Sequence, residues 1–338
     1  MKLSSLTPRP ECGPRRRVSR TERGRYGKLG IIGLSHVGAH VADVLLSHGA
    51  VEELRFCDRD LKLCHAQAND MLDAMAYYPR RARVIDCACD YEDLAECDVI
   101  VNAAGHVAAS KTNRDAENLL TPAEVATFAP RIMAAGFDGV WVSIANPCDV
   151  VALELQRQTG MDPRRIIGSG TALDSSRLRH AISDATGYDP ASVNAWMLGE
   201  HGFSEFACFS HAAVGCLALD EVEAQAGVAL DRAAIEEAAT RGGYITMAGK
   251  FCTEYSVSRA AAQIVEAVLA DTKLVTPVST LVENVYGVSG IYASLPCVIG
   301  ADGVEQVFVP ELSEDEVAKW HATCEHIAGN VAAFEASK

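Results

Sequence analysis

Lys28-Leu29-Gly30-Ile31-Ile32-Gly33-Leu34-Ser35-His36-Val37-Gly38 is the stretch that decides the fold. A short apolar run ends in glycine, and helical periodicity follows through Val37, Val41, Ala42, Val44, Leu45 and Leu46. A strand that turns on glycine into a helix offers free N–H groups and the positive dipole end to a pyrophosphate. Gly33 and Gly38 fill the outer positions of a G-x-G-x-x-G turn, while Ser35 stands where the middle glycine lets backbone approach phosphate closely. A serine there either crowds the phosphate or lends it a hydroxyl. Alone the turn is a weak signal.

The next strand, Leu54-Arg55-Phe56-Cys57-Asp58, strengthens it by ending in an acid at the spacing expected of a ribose-binding carboxylate. Asp58 would accept hydrogen bonds from a ribose diol and repel a 2′-phosphate, so NAD(H) is the expected cofactor. Neighbouring Arg59 keeps NADP open.

Further buried-strand runs follow at 83–87, 98–104 and 140–144, with an Ala/Leu/Met-rich helix over 60–76 between the second strand and the first of these runs. Such alternation predicts a doubly wound parallel sheet of the Rossmann type. From about Ile166 the texture changes. Helices are expected at 172–186, 219–226 and 231–249, and hairpin-like pieces near 193–216 and 286–309. A last helix should open on the capping box Ser313-Glu314-Asp315-Glu316. The predicted class is α/β: residues 28–168 form a Rossmann domain and residues 169–335 an α+β catalytic domain.

The bulk numbers fit that plan. A chain of 338 residues has room for two domains. Its net charge of -15 argues against nucleic acid as a partner. Residues 1–27 are the exception, with eight basic and two acidic residues. This net +6 leaves -21 for the remainder, and the segment reads as a disordered tail or an arm. No apolar run is long enough to span a bilayer, so no membrane partner is expected. The 12 cysteines include no C-x-x-C and have no zinc-ligand spacing. They read as reduced thiols of a cytoplasmic protein, with no metal, although Cys148 and Cys252 fall near the expected active site.

The chemistry is concentrated in Gly168-Ser169-Gly170-Thr171-Ala172-Leu173-Asp174-Ser175-Ser176-Arg177 and Gly199-Glu200-His201-Gly202. A lone histidine between glycines is more often a turn residue than a catalyst, and an isolated Asp/Arg pair is usually a solvated ion pair. Here the three groups together would suffice to move a proton at a hydroxyl beside a carboxylate.

Several segments carry a resemblance: "VSIANPCDV" (142–150), "GSGTALDSSRLR" (168–179), "MLGEHG" (197–202) and "ASLPCVIG" (293–300). In this order they resemble the L-lactate/L-malate dehydrogenase superfamily from Gly27 almost to the carboxy terminus. "GFDGVWVSIANPCDV" (136–150) and "GKFCTEYSVS" (249–258) look closest to its L-2-hydroxyisocaproate dehydrogenase branch. The resemblance implies His201 as acid/base, Asp174 as its orienting carboxylate and Arg177 as the clamp on the substrate carboxylate. It also implies Arg114 as a carbonyl-polarising residue on a closing loop. Asn146 would contact the nicotinamide ribose or the substrate oxygen. Ala103, Ala104 and Gly105 would line the cofactor passage, beside Gly33, Ser35, His36, Val37, Gly38 and Asp58 at the turn.

The loop from His106 to Arg114 departs from the pattern. Ala108 stands where lactate enzymes carry glutamine and malate enzymes arginine. With Thr253 it suggests room for an apolar side chain. The expected activity is therefore NAD-dependent interconversion of 2-oxo acids and L-2-hydroxy acids with medium apolar side chains. L-lactate is the alternative substrate and malate a weaker one. An NAD-binding protein without activity is the non-enzyme alternative. The resemblance further implies a homodimer or homotetramer.

Overall fold

Strand and helix alternate through the first half of the chain, as the opening glycine turn foretold. In the computed structural model, which describes residues 26–105, 114–250 and 252–338, β1 (Gly27–Ile32) leads through the turn into α1 (His36–Ser47). There follow β2 (Val51–Cys57), α2 (Leu61–Ala74), β3 (Arg83–Asp86), β4 (Val99–Asn102), α3 (Arg114–Ala134), β5 (Val140–Ser143), α4 (Cys148–Thr159) and β6 (Ile166–Gly168). These six strands pair in parallel in the order β3-β2-β1-β4-β5-β6. The order reverses between β1 and β4, which opens a crevice at the carboxyl ends of the strands where a dinucleotide can lie.

The second half starts with α5 (Ala172–Thr186) and continues through short strands β7 (Val193–Asn194), β8 (Met197–Leu198), β9 (Phe206–Ala207), β10 (Ala213–Val214) and β11 (Leu217–Ala218). Helices α6 (Leu219–Ala226), α7 (Arg232–Lys250) and α8 (Tyr255–Ala270) come next, then β12 (Leu274–Leu281), β13 (Tyr292–Gly300), β14 (Gly303–Val307) and α9 (Glu314–Ser337). The α/β class with a Rossmann sheet is as expected.

One boundary is less sharp than the sequence suggested. The antiparallel run β12-β13-β14 extends the Rossmann sheet to nine strands, with Ser279 of β12 paired to Gly168 of β6. The hairpin expected near 286–309 is β13–β14; the strand not foreseen is β12, which begins at Leu274. Pro277 hid it, because proline argues against a central strand, and its neighbour β13 carries Pro296. The ladder accommodates both by setting them opposite each other.

Burial follows the layers. Leu29, Ile31, Val41 and Leu45 share one apolar cluster with Ala261, Ile264, Val265 and Val268 of α8. On the other sheet face, Phe128, Trp141 and Leu155 pack with Trp320 and Ile327 of α9. Helix α9 opens on the foreseen capping box: Ser313 Oγ accepts from the Glu316 N–H, and Glu316 accepts from the Ser313 N–H at 2.9 Å. Among the described residues no helix is long and apolar enough to cross a membrane.

Candidate active site

The cofactor end of the crevice is built by glycine and carboxylate. Gly33 has φ +89°, and a Cβ there would stand 2.6 Å from the carbonyl oxygen of Ala103. Only glycine lets the turn pass that close to the end of β4. Asp58 at the end of β2 is buried and grips the turn itself: one carboxylate oxygen accepts from the Leu34 N–H at 2.7 Å, the other from the Asp60 N–H at 2.8 Å. Its remaining lone pairs suit a ribose diol. Arg59 points its guanidinium at Glu124 of α3, 3.0 Å away, so a carboxylate engages the cation that a 2′-phosphate would call on. Ser35 holds the N-cap position of α1 with no side-chain cap bond. Ser35 and His36 are exposed at the turn, Val37 is half-buried beside them, and Gly38 is buried. His36 reaches across to Glu254 between α7 and α8 at 2.7 Å, which ties the two halves together at the mouth.

Val37, Ala103, Ala104, Gly105 and Asn146 lead from this turn into a cleft of about 490 Å³ that also receives Asp174, Arg177, His201 and Thr253. Such a volume fits a small ligand beside a cofactor ring. At its floor His201 Nδ1 meets Asp174 Oδ2 at 2.6 Å, and Arg177 donates to Asp174 Oδ1 at 2.7 Å. Asp174 and Arg177 lie on one face of α5, three residues apart. Gly243 of α7 makes room for the guanidinium, since a Cβ there would come 3.2 Å from an Arg177 nitrogen.

The electrostatics follow from the geometry. Burial penalises the charged imidazole of His201, but the Asp174 carboxylate outweighs burial, and the net shift is upward from the ordinary 6.5. Burial likewise works against the Asp174 anion, and His201 and Arg177 more than offset it, so this carboxyl stays below its ordinary range. The His201 side chain keeps 27% exposure. A protonated imidazole backed by an anion and open to the cleft can give a proton to an oxygen, or take one back.

The scaffold that aims His201 was not legible in the motif. Gly199 has φ +92° and backs against Thr323 of α9. Thr323 Oγ1 accepts from the Glu200 N–H at 2.9 Å and bonds the Ser204 hydroxyl at 2.8 Å. Asp149, at the start of α4, accepts from the His201 N–H at 3.0 Å and from the Ser279 hydroxyl at 2.5 Å. Its full burial pushes the carboxyl up to about 7. Sequence reading missed Asp149, Glu205 and Thr323. The acids in "NPCDVVA" and "FSEFACF" were the available signal, each set in an apolar run.

Of the expected site residues, Ala108 lies outside the described residues, and Arg114 is placed as the first residue of α3 with its side chain outside them. Cys252 lines the cleft, whereas Cys148 is buried behind it against Gly170.

A crevice suited to a dinucleotide that runs into a histidine–aspartate pair and a guanidinium fits a class, the NAD-dependent 2-hydroxy acid dehydrogenases. Residues 27–168 match the lactate/malate dehydrogenase NAD-binding domain and residues 171–336 the lactate/malate dehydrogenase alpha/beta C-terminal domain. The chain is 33% identical to L-lactate dehydrogenase of Fusobacterium nucleatum over 303 residues, covering 88% of this chain and 93% of that one. It is 35% identical to L-lactate dehydrogenase of Thermus aquaticus over 312 residues, covering 91% and 99%. Its structure superposes with TM-score 0.86 on a lactate dehydrogenase from a Medee basin deep-sea metagenome library, at 29% identity and with 92% and 99% covered. The chain belongs to the lactate/malate dehydrogenase family, and its cofactor is NAD(H). These relatives are named for lactate, not for the hydroxyisocaproate branch that two segments suggested.

Proposed function

We propose that this enzyme interconverts pyruvate and L-lactate, with His201, Asp174 and Arg177 as its working residues. The observation that carries the reading is the His201–Asp174–Arg177 cluster on the floor of the cleft that opens from the Gly33 turn. The names of the relatives favour lactate within the class. Arg177 presents a guanidinium to the cleft, placed to take a carboxylate of the substrate.

The bound dinucleotide supplies the hydride acceptor or donor. Arg177 grips the carboxylate of the substrate with its planar fork. During reduction, protonated His201 gives its proton to the 2-oxo oxygen from the ring nitrogen turned away from Asp174. Asp174 fixes the tautomer by taking Nδ1–H and stabilises the charged ring, as carboxylates do in other His pairs. In the reverse direction neutral His201 removes the hydroxyl proton. By resemblance Arg114 polarises the 2-oxo group, and Ala108 and Thr253 border the substrate's side chain. Asn146 sits at the cofactor side of the same cleft.

A second reading, toward larger apolar 2-oxo acids, is favoured by one feature. Phe203 and Tyr244 bring their rings to 5.2 Å at the cleft, with Met247 and Val257 beside them. The test is kcat/KM with NADH for pyruvate, oxaloacetate, 2-oxoisocaproate and phenylpyruvate. Pyruvate should lead. A lead for 2-oxoisocaproate or phenylpyruvate would install the second reading, and oxaloacetate at the top would defeat both.

A further inference from the structure

Glu205 is buried beside the proton-transfer pair, and nothing said so far uses it. It follows the His201 loop at the edge of β9, with 7% of its surface exposed. One of its carboxylate oxygens, an Asp174 oxygen and a His201 ring nitrogen lie within 4.8 Å of one another. Its Oε2 is buried with no hydrogen-bond partner. Buried polar atoms are rarely left so, and each calls for a reason.

Two buried carboxylates with oxygens within 4.8 Å of one another disfavour each other's ionisation. Asp174 already accepts from His201 and from Arg177, so it is the member that keeps its negative charge. A proton held between the two carboxyls then belongs to Glu205. Around Glu205 stand Asp174 and Arg177 on α5 and Glu200 and His201 on the loop. Glu236, Glu237 and Arg241 of α7 border the groove on its other side. The acidic members of this set, like burial, favour the neutral acid. Arg177 and protonated His201 oppose it, and both are taken up by Asp174.

We propose that Glu205 is a positioning residue that stays protonated and donates its carboxyl hydrogen to Asp174, so that the His201–Asp174 pair works as a relay of three groups. The proposal rests on the dehydrogenase reading above. By spreading the Asp174 charge over one more hydrogen bond, the Glu205 hydroxyl weakens the pull of Asp174 on the imidazolium. His201 is thereby kept nearer neutrality and able to release its proton. Burial drives Glu205 well above the ordinary carboxylate range, and contact with Asp174 adds to the shift.

Two measurements on the full chain test this. Infrared difference spectra of the wild type against Glu205→Gln, without substrate, should show the C=O stretch of a neutral carboxylic acid at pH 7, lost in the variant. Absence of that band overturns the proposal whether or not the protein turns over 2-oxo acids. Second, Glu205→Leu should move the alkaline limb of the kcat profile for pyruvate reduction upward by about half to one pH unit. Glu205→Gln, whose amide still donates, should return the limb toward wild type. An unmoved limb in Glu205→Leu, or one that glutamine fails to restore, would overturn the relay. Should the leucine variant fail to fold, the infrared comparison still decides.

Discussion

At the residue scale, the account turns on how His201 and Arg177 meet their shared carboxylate. In the proposed mechanism reduction needs the protonated imidazole, and Asp174 raises its pKa above 6.5. Pyruvate reduction should therefore hold through pH 6.5 and fall only as pH passes the raised value, while lactate oxidation rises across the same window. Profiles of kcat/KM in both directions check this, and crossing limbs well below 6.5 would contradict it. The same linkage bears on stability. The His201–Asp174 pair contributes fully between the unfolded carboxylate value near 3.8 and the unfolded imidazole value near 6.5, and loses its contribution as pH climbs through the raised His201 value or falls through the lowered Asp174 value. Arg177→Lys keeps the charge but loses the fork. It should raise KM for pyruvate by about two orders of magnitude, since each hydrogen bond to a charged group is worth about 1.5–3 kcal/mol. NADH affinity measured by fluorescence titration should not follow. These three side chains were legible because each pairs a reactive group with a short motif. Glu205 and Thr323 were not, since their importance lies in what burial brings against them.

At the element scale, the His201 loop is held by helix α9, more than 120 residues downstream. Thr323→Val keeps the shape and removes the oxygen that accepts the Glu200 N–H, leaving that donor buried without a partner. A loss of about 1–3 kcal/mol is expected in denaturant titrations, with a lower kcat and intact NADH binding. Unchanged stability would mean that the loop does not lean on α9. The glycine turn, by contrast, is local. Gly33→Ala forces φ +89° on a side chain and drives a methyl against Ala103, so both stability and NADH affinity should drop. Local features such as this turn, the α9 capping box and the Asp58 strand end could be read from sequence. Helix α3 was harder to see because Pro122 and Pro130 lie inside it. The β12–β13 ladder was masked by its facing prolines, a contact that no local pattern encodes.

At the scale of the whole molecule, the two halves share a sheet and a core. Strands β12 to β14 complete the Rossmann sheet, and α8 covers the same face as α1. A fragment ending at residue 168 would expose that face, so it should not unfold cooperatively on its own, whereas the full chain should. A sharp transition in the isolated fragment would show that the shared core is dispensable. This joint construction is what sets the dinucleotide turn of one half against the histidine of the other. The central claim is that this histidine moves the proton while NADH provides the hydride. It is tested most directly by single-turnover oxidation of bound NADH by saturating pyruvate, wild type against His201→Asn. The account predicts rapid oxidation by the wild type and a loss of several orders of magnitude in the variant, with NADH binding retained. An asparagine variant that oxidises NADH at the wild-type rate would contradict it.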